Sequence, residues 1–153
     1  MKQKSERRPS DLLHPFTDAH ETYVQLRRTH DAIHRHVSKK LAQWDLSVPK
    51  YGVLVRVYDH KELSISYLST QIFRGNSNMT TLINRLEKDG LVCRGNGDKD
   101  RRVTMIRLTP KGLRLAPVVI KEYRAFQPAT MDGLSVKERR VLLHLLKKVK
   151  ERI

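Results

Sequence analysis

A single cysteine, Cys93, leaves the chain no internal disulfide to form, which fits a reducing compartment. No apolar run approaches the roughly 18 residues that a membrane span needs. Behind the charges of the opening MKQKSERRPS there is no apolar segment of the kind a secretory signal carries. These absences predict a soluble, cytoplasmic chain with no membrane partner. Acidic residues are scarce as well: 16 Asp and Glu face 31 Lys and Arg, for a formal charge of +15. The excess is spread over residues 1–60, 61–115 and 116–153 alike. A field of that sign attracts polyanions, either nucleic acid or an anionic surface. Enzyme signatures are missing: there is no Gly-rich phosphate loop, no GxSxG, no CxxC or HExxH, and no convincing paired-carboxylate motif. The chain therefore reads as a non-enzyme that needs no cofactor or metal. At 153 residues it has room for one ordinary core.

What is present is helical periodicity. Residues 1–15 carry no periodic apolar pattern and read as a basic, flexible tail. From Phe16 to Trp44, Tyr23, Leu26, Ile33, Val37, Leu41 and Trp44 recur at spacings of three, four or seven, with no glycine or proline in the interior. That is one long amphipathic helix. Ser47 and Pro49 cap and open a second helix through Val53, Leu54 and Val57 to about His60. Ser64 or Ser66 caps a short third helix with Leu68 and Ile72 on its buried side. After the turn FRGN, a fourth helix from about Asn76 to Asp89 turns Met79, Leu82, Ile83 and Leu86 inward, at i, i+3, i+4 and i+7.

The fourth helix ends at Gly90, where a left-handed C-cap is wanted. LVCR and VTMIRL follow as two β-rich runs separated by GNGDKDRR, a hairpin with a long charged loop. Thr109 and Pro110 cap and open a fifth helix, which Pro117 and Pro128 should kink or interrupt. A capping box, Ser135 with Glu138, starts a last helix bearing Val141, Leu142, Leu145, Leu146 and Val149. The fold class is mainly α with a small β-hairpin.

Short helix, turn, helix and two-stranded hairpin, in that order, spell a winged helix-turn-helix. Such a unit places its second helix in the DNA major groove and lets the hairpin reach the backbone or minor groove. The outward face of the fourth helix carries Ser77, Asn78, Thr81, Asn84, Arg85 and Lys88, groups that hydrogen-bond phosphates and base edges. Thr80 and the loop residues Lys99, Asp100, Arg101 and Arg102 complete the candidate DNA-binding set.

SYLSTQI, NMTTLINRLEKDGLVCR and DKDRRVTMIRLTPKG together resemble the MarR-type winged helix-turn-helix transcriptional regulators. The family pattern is a recognition helix ending in Leu-Glu-x-x-Gly-Leu-Val, a wing with Asp-x-Arg, and Leu-Thr-x-x-Gly opening the next helix. The likeness is close from Leu46 to Leu115 and is one of pattern alone in the flanking helices. It implies a DNA-binding region over 46–109 and a helical dimerisation region made of 16–45 and 110–153. It further implies a homodimeric repressor on a palindromic operator in double-stranded DNA, with a small aromatic effector in the crevice between the regions. In the family the wing-tip arginine enters the minor groove and the Asp two residues earlier fixes the wing, roles that fall on Arg102 and Asp100, with Arg85 as a partner for Asp100. The chain departs from its relatives at Ser69, where many have alanine, and at Thr81, where a recognition-helix arginine is common.

Other residues have plainer readings. His30 and His34, at i, i+4, could share a metal, but a solvated or interface pair is the stronger expectation. Cys93 is expected to pack as a small apolar group in the first wing strand. Trp44, Tyr23 and Tyr51 read as core or interface residues. The rival function is a non-sequence-specific architectural DNA-binding or RNA-binding protein, because basic charge alone does not separate the two.

Overall fold

The computed structural model describes residues 17–72, 79–96 and 103–153. Helix α1 spans Asp18–Leu41, with Asp18 and Glu21 in its first turn and Lys39 and Lys40 in its last, each sign at the end of the helix dipole that favours it. Contacts divide the chain after His36. Taken by itself, the part of α1 before that boundary exposes its apolar residues: Tyr23, Leu26 and Ile33 are at least 36% accessible. The helix stops earlier than its periodicity suggests. A 3-10 turn, Ala42–Trp44, takes over and is closed by Asp45 in the left-handed region at φ 55°.

From Val37 onward the chain builds one core. Val37 and Leu41 enter it from the end of α1, and α2 (Val48–His60) adds Val53, Leu54 and Val57. Ser47 caps α2 by accepting from the Lys50 amide, with Pro49 in the first turn. β1 (Glu62–Ser64) leads directly into α3 (Ile65–Ile72), where Ser64 Oγ accepts from the Tyr67 amide. Leu68 of α3 is fully buried, as are Ile83 and Leu86 of α4 (Met79–Lys88). Removing each such side chain from water is worth about 1.5–3 kcal/mol.

α4 closes as its glycine predicts. Gly90 sits at φ +71°, the Leu91 amide donates to the Leu86 carbonyl and the Gly90 amide to the Glu87 carbonyl, the paired bonds of a Schellman cap. β2 (Val92–Asn96) and β3 (Thr104–Leu108) then pair antiparallel, with Val92 opposite Leu108. The expected two-stranded hairpin proves to be part of a three-stranded sheet in the order β1-β3-β2, in which Leu63 pairs with Ile106. β1 escapes a reading of periodicity because three residues carry no pattern; its partner, 43 positions away, defines it. β2 also runs through Gly95 and Asn96, which the sequence assigned to the loop.

Thr109 caps α5 (Pro110–Ala129) by accepting from the Gly112 amide, and Gly112, Ala116, Val119 and Ile120 form the buried face of that helix. The interruption expected at Pro117 and Pro128 does not occur, since α5 is continuous through both. Pro117 removes one backbone donor, but buried Ala116, Val119 and Ile120 hold the helix on either side of the gap. The Ser135–Glu138 capping box forms at the start of α6 (Val136–Lys150). Among the described residues α6 buries none of its own, and Val141, Leu142, Leu145, Leu146 and Val149 are 36–52% accessible. No helix among the described residues is long and apolar enough to cross a membrane.

Candidate nucleic-acid interface

Four apolar side chains fix how α4 faces the rest of the chain. With Met79, Leu82, Ile83 and Leu86 buried, the geometry of 3.6 residues per turn puts Thr81, Asn84 and Lys88 on the opposite stripe, Arg85 on one flank, and Thr80 and Glu87 on the other. Thr80, Thr81, Asn84, Arg85 and Lys88 are all exposed. The predicted residues Ser77, Asn78, Lys99, Asp100, Arg101 and Arg102, and the Arg85–Asp100 pairing, lie outside the described residues.

The middle and the C-terminal end of this surface are tied down. At the C-terminus of α4, the Asp89 carboxylate meets the Lys50 ammonium at 2.6 Å, and Lys111 Nζ donates to the Asp89 carbonyl oxygen at 2.8 Å. These bonds join the end of α4 to the first turns of α2 and α5. On the hairpin side the link is Arg94 of β2. Its backbone amide donates to Glu87 Oε1 at 3.1 Å, its Nη1 pairs with Glu87 Oε2, and its Nη2 donates to Asn84 Oδ1 at 2.6 Å. Lower in the sheet, Arg107 Nε donates to Glu62 Oε2 at 2.5 Å, bonding β3 to β1.

These contacts set the electrostatics. Glu62, Glu87 and Asp89 each face a cation of the same unit. Arg85 and Lys88 form no ion pair among the described residues, so the outward stripe of α4 carries positive charge beside hydroxyl and amide groups. Arg94 was not among the residues predicted from sequence. The signal that could have found it is Asn84 on the outward stripe with Glu87 three residues later on the neighbouring flank, followed by a cation just past the glycine turn.

Other sequence expectations resolve differently. Cys93 is exposed, contrary to its expected packing. The inward position of the strand belongs to its neighbour Val92, and side chains alternate along β2, so Cys93 faces outward. His30 and His34 have ring centroids 6.3 Å apart, and His30 Nδ1 lies 3.2 Å from Asp31 Oδ1. Among the described residues no three His, Cys, Asp or Glu side chains gather as a metal site. Trp44 and Tyr51 are half-buried against the core, while Tyr23 is exposed. Tyr51 packs on Tyr123 with centroids 4.5 Å apart, and burial, then the Tyr123 hydroxyl, pushes its pKa up. Lys40 lies 5.3 Å from the Trp44 ring centroid and pairs with Glu122 at 3.3 Å.

Comparison with known proteins gives a consistent result. Residues 46–104 match the family model described as "MarR family". The HTH-type transcriptional repressor IacR of Pseudomonas putida is 34% identical over 92 residues, 60% of this chain and 55% of that protein. The HTH-type transcriptional regulator SarZ of Staphylococcus aureus is 31% identical over 100 residues, 63% of this chain and 68% of that protein. The chain thus spans little more than half the length of IacR. A solved MarR-like transcription regulator from Bacillus cereus superposes with a TM-score of 0.79 at 28% identity, covering 89% of this chain and 98% of that one.

Proposed function

The chain belongs to the MarR family, and from that membership we propose that it is a sequence-specific DNA-binding regulator of transcription, a homodimer that represses from a palindromic operator. The observation that carries this reading is the outward stripe of α4: exposed Thr80, Thr81, Asn84, Arg85 and Lys88 on a helix braced at its middle by Arg94 and at its C-terminal end by Lys50. Donors and cations projecting from a braced helix backbone start from fixed Cα positions on meeting a duplex and can report base identity as well as charge. Residues 46–109 form the DNA-binding region. The segment joining β2 to β3 is the wing, with Arg102 entering the minor groove.

The uncovered apolar residues of α1 and α6 support dimerisation through 16–45 and 110–153, because stripes of that length cost free energy while they face water. A two-fold dimer presents two recognition helices to half-sites about one helical turn apart. A small aromatic effector suits this arrangement, and the half-buried rings of Trp44, Tyr51, Tyr123 and Phe126 are the side chains to receive it.

The experiment is selection. Purified protein is mixed with a library of duplex fragments, the bound fraction is sequenced, and the salt dependence of binding is recorded. A two-fold symmetric motif is the expected result. Uniform binding to any duplex, or preference for RNA, would establish the architectural or RNA-binding alternative instead.

A further inference from the structure

We infer that Arg94 is a specificity-determining positioning residue: it locks the side-chain amide of Asn84 in one of its two orientations, so the recognition helix offers bases a fixed order of donor and acceptor. This rests on the DNA-binding reading above and adds a residue and a chemical rule to it.

Arginine has five N–H donors and no acceptor. The amide atom 2.6 Å from Arg94 Nη2 is therefore the oxygen, whichever way an isolated Asn would turn. Rotating the amide by half a turn would bring its NH2 against the guanidinium, donor against donor, and forfeit a charge-assisted hydrogen bond. Arg94 cannot easily move aside to permit that rotation. Glu87 holds it twice, through the backbone amide at 3.1 Å and through the Nη1 ion pair, and Glu87 is itself half-buried on α4. The residues at 84, 87 and 94 thus form a closed brace between helix and strand.

An unbraced Asn on a recognition helix is permissive, since its amide can flip to suit a donor or an acceptor. With Oδ1 held on the hairpin side, Asn84 directs its two Nδ2 hydrogens outward. The base edge it faces must then offer an acceptor, such as guanine N7 and O6, adenine N7 or thymine O4, and the N4 amine of cytosine is refused. Arg94 touches no base in this scheme. It acts through Asn84.

The test uses the full chain and a panel of duplexes carrying single-base substitutions in the selected motif. Asn84→Ala identifies the base step that Asn84 reads. Arg94→Lys keeps a cation on β2 without the planar fork, and Arg94→Ala removes both; thermal unfolding and circular dichroism report whether each variant is folded. The expected result is that both Arg94 variants flatten discrimination at the Asn84 step, on the order of tenfold. The other steps should keep their preferences, and Asn84→Ala/Arg94→Ala should flatten that step no further than either change alone. In the wild type that step should reject cytosine. Arg94→Lys with an unchanged base profile, or one weakened by the same factor on every duplex, overturns the assignment while leaving the regulator reading intact. A wild-type protein that binds every duplex equally overturns both.

Discussion

A Cβ built on Gly112 would lie far inside van der Waals contact distance of the Leu91 carbonyl oxygen, so α5 reaches this close to the start of the wing only because residue 112 has no side chain. The same oxygen accepts from the Thr109 amide at 3.1 Å, and Thr109 Oγ1 donates to the Gly90 carbonyl at 2.6 Å. Backbone presses on backbone here, and neither side has a flexible end that can yield.

Gly112→Ala is therefore expected to destabilise the protein by about 1–3 kcal/mol, the usual cost of overpacking a well-filled site. Thermal or urea unfolding of the purified variant measures it. An unfolding midpoint equal to wild type would mean that α5 can slide away from Leu91 at no cost.

The exposed stripe of α6 makes a second prediction. Leu142→Glu with Leu145→Lys places charge on residues that are 36% and 50% accessible in the single chain, so the isolated fold should tolerate both. If α6 pairs with a second copy, the same changes desolvate charge in an apolar contact and should halve the sedimenting mass at micromolar protein. Retained dimer mass would place the subunit contact elsewhere.

Acid should loosen α6 first at its start. The Glu138 carboxyl is held below its ordinary pKa by the Ser135 hydroxyl first and the Ser135 backbone amide second. A carboxylate whose folded pKa is depressed contributes stability that is present above its unfolded value and is lost as pH falls through the folded value. Helicity lost by Glu138→Gln relative to wild type should thus be visible at neutral pH and vanish once the pH drops below the ordinary carboxylate range. Circular dichroism across an acid titration follows the gap, and a difference that persists unchanged at low pH would refute the cap as its source.

Affinity and base preference should separate along α4. Lys88, in the last turn, is proposed to meet phosphate, and Lys88→Ala should weaken all duplexes alike while making the dependence of log K on log salt shallower. Arg102→Ala should also make that slope shallower, since each lost cation contact releases fewer counterions. Thr81, nearer the N-terminus of the helix, should alter which bases are preferred when changed to alanine. Competition binding on single-base variants at two or more salt concentrations distinguishes these outcomes. A Thr81→Ala profile identical to wild type would remove that residue from direct readout.

Much of the architecture could be read from the sequence because it depends on neighbours in the chain. The buried stripe of α4, the stop at Gly90, and the caps at Ser47, Thr109 and Ser135 are each set within a few residues, and each is observed. What escaped depends on distant partners. β1 is a strand because Leu63 meets Ile106; α5 continues past Pro117 because its flanking residues are buried; Cys93 faces outward because Val92 is taken inward. Arg94 is the instructive case on the site itself. As a single cation after a strand residue it looks like any solvated charge, and only the approach of Asn84 and Glu87 across the turn gives it a partner.

The strand order also bears on synthesis. β3 is central, and both β1 and β2 pair with it alone. Glu62, Leu63 and Ser64 find their partners only at Arg107, Ile106 and Met105. A nascent chain that has emerged as far as β2 therefore contains the whole of α2, α3 and α4, yet neither of its first two strands has anything to pair with. The last of the three strands to leave the ribosome completes both ladders, so the Arg94 brace between α4 and β2 needs only residues already made, whereas the sheet that carries it must wait for β3.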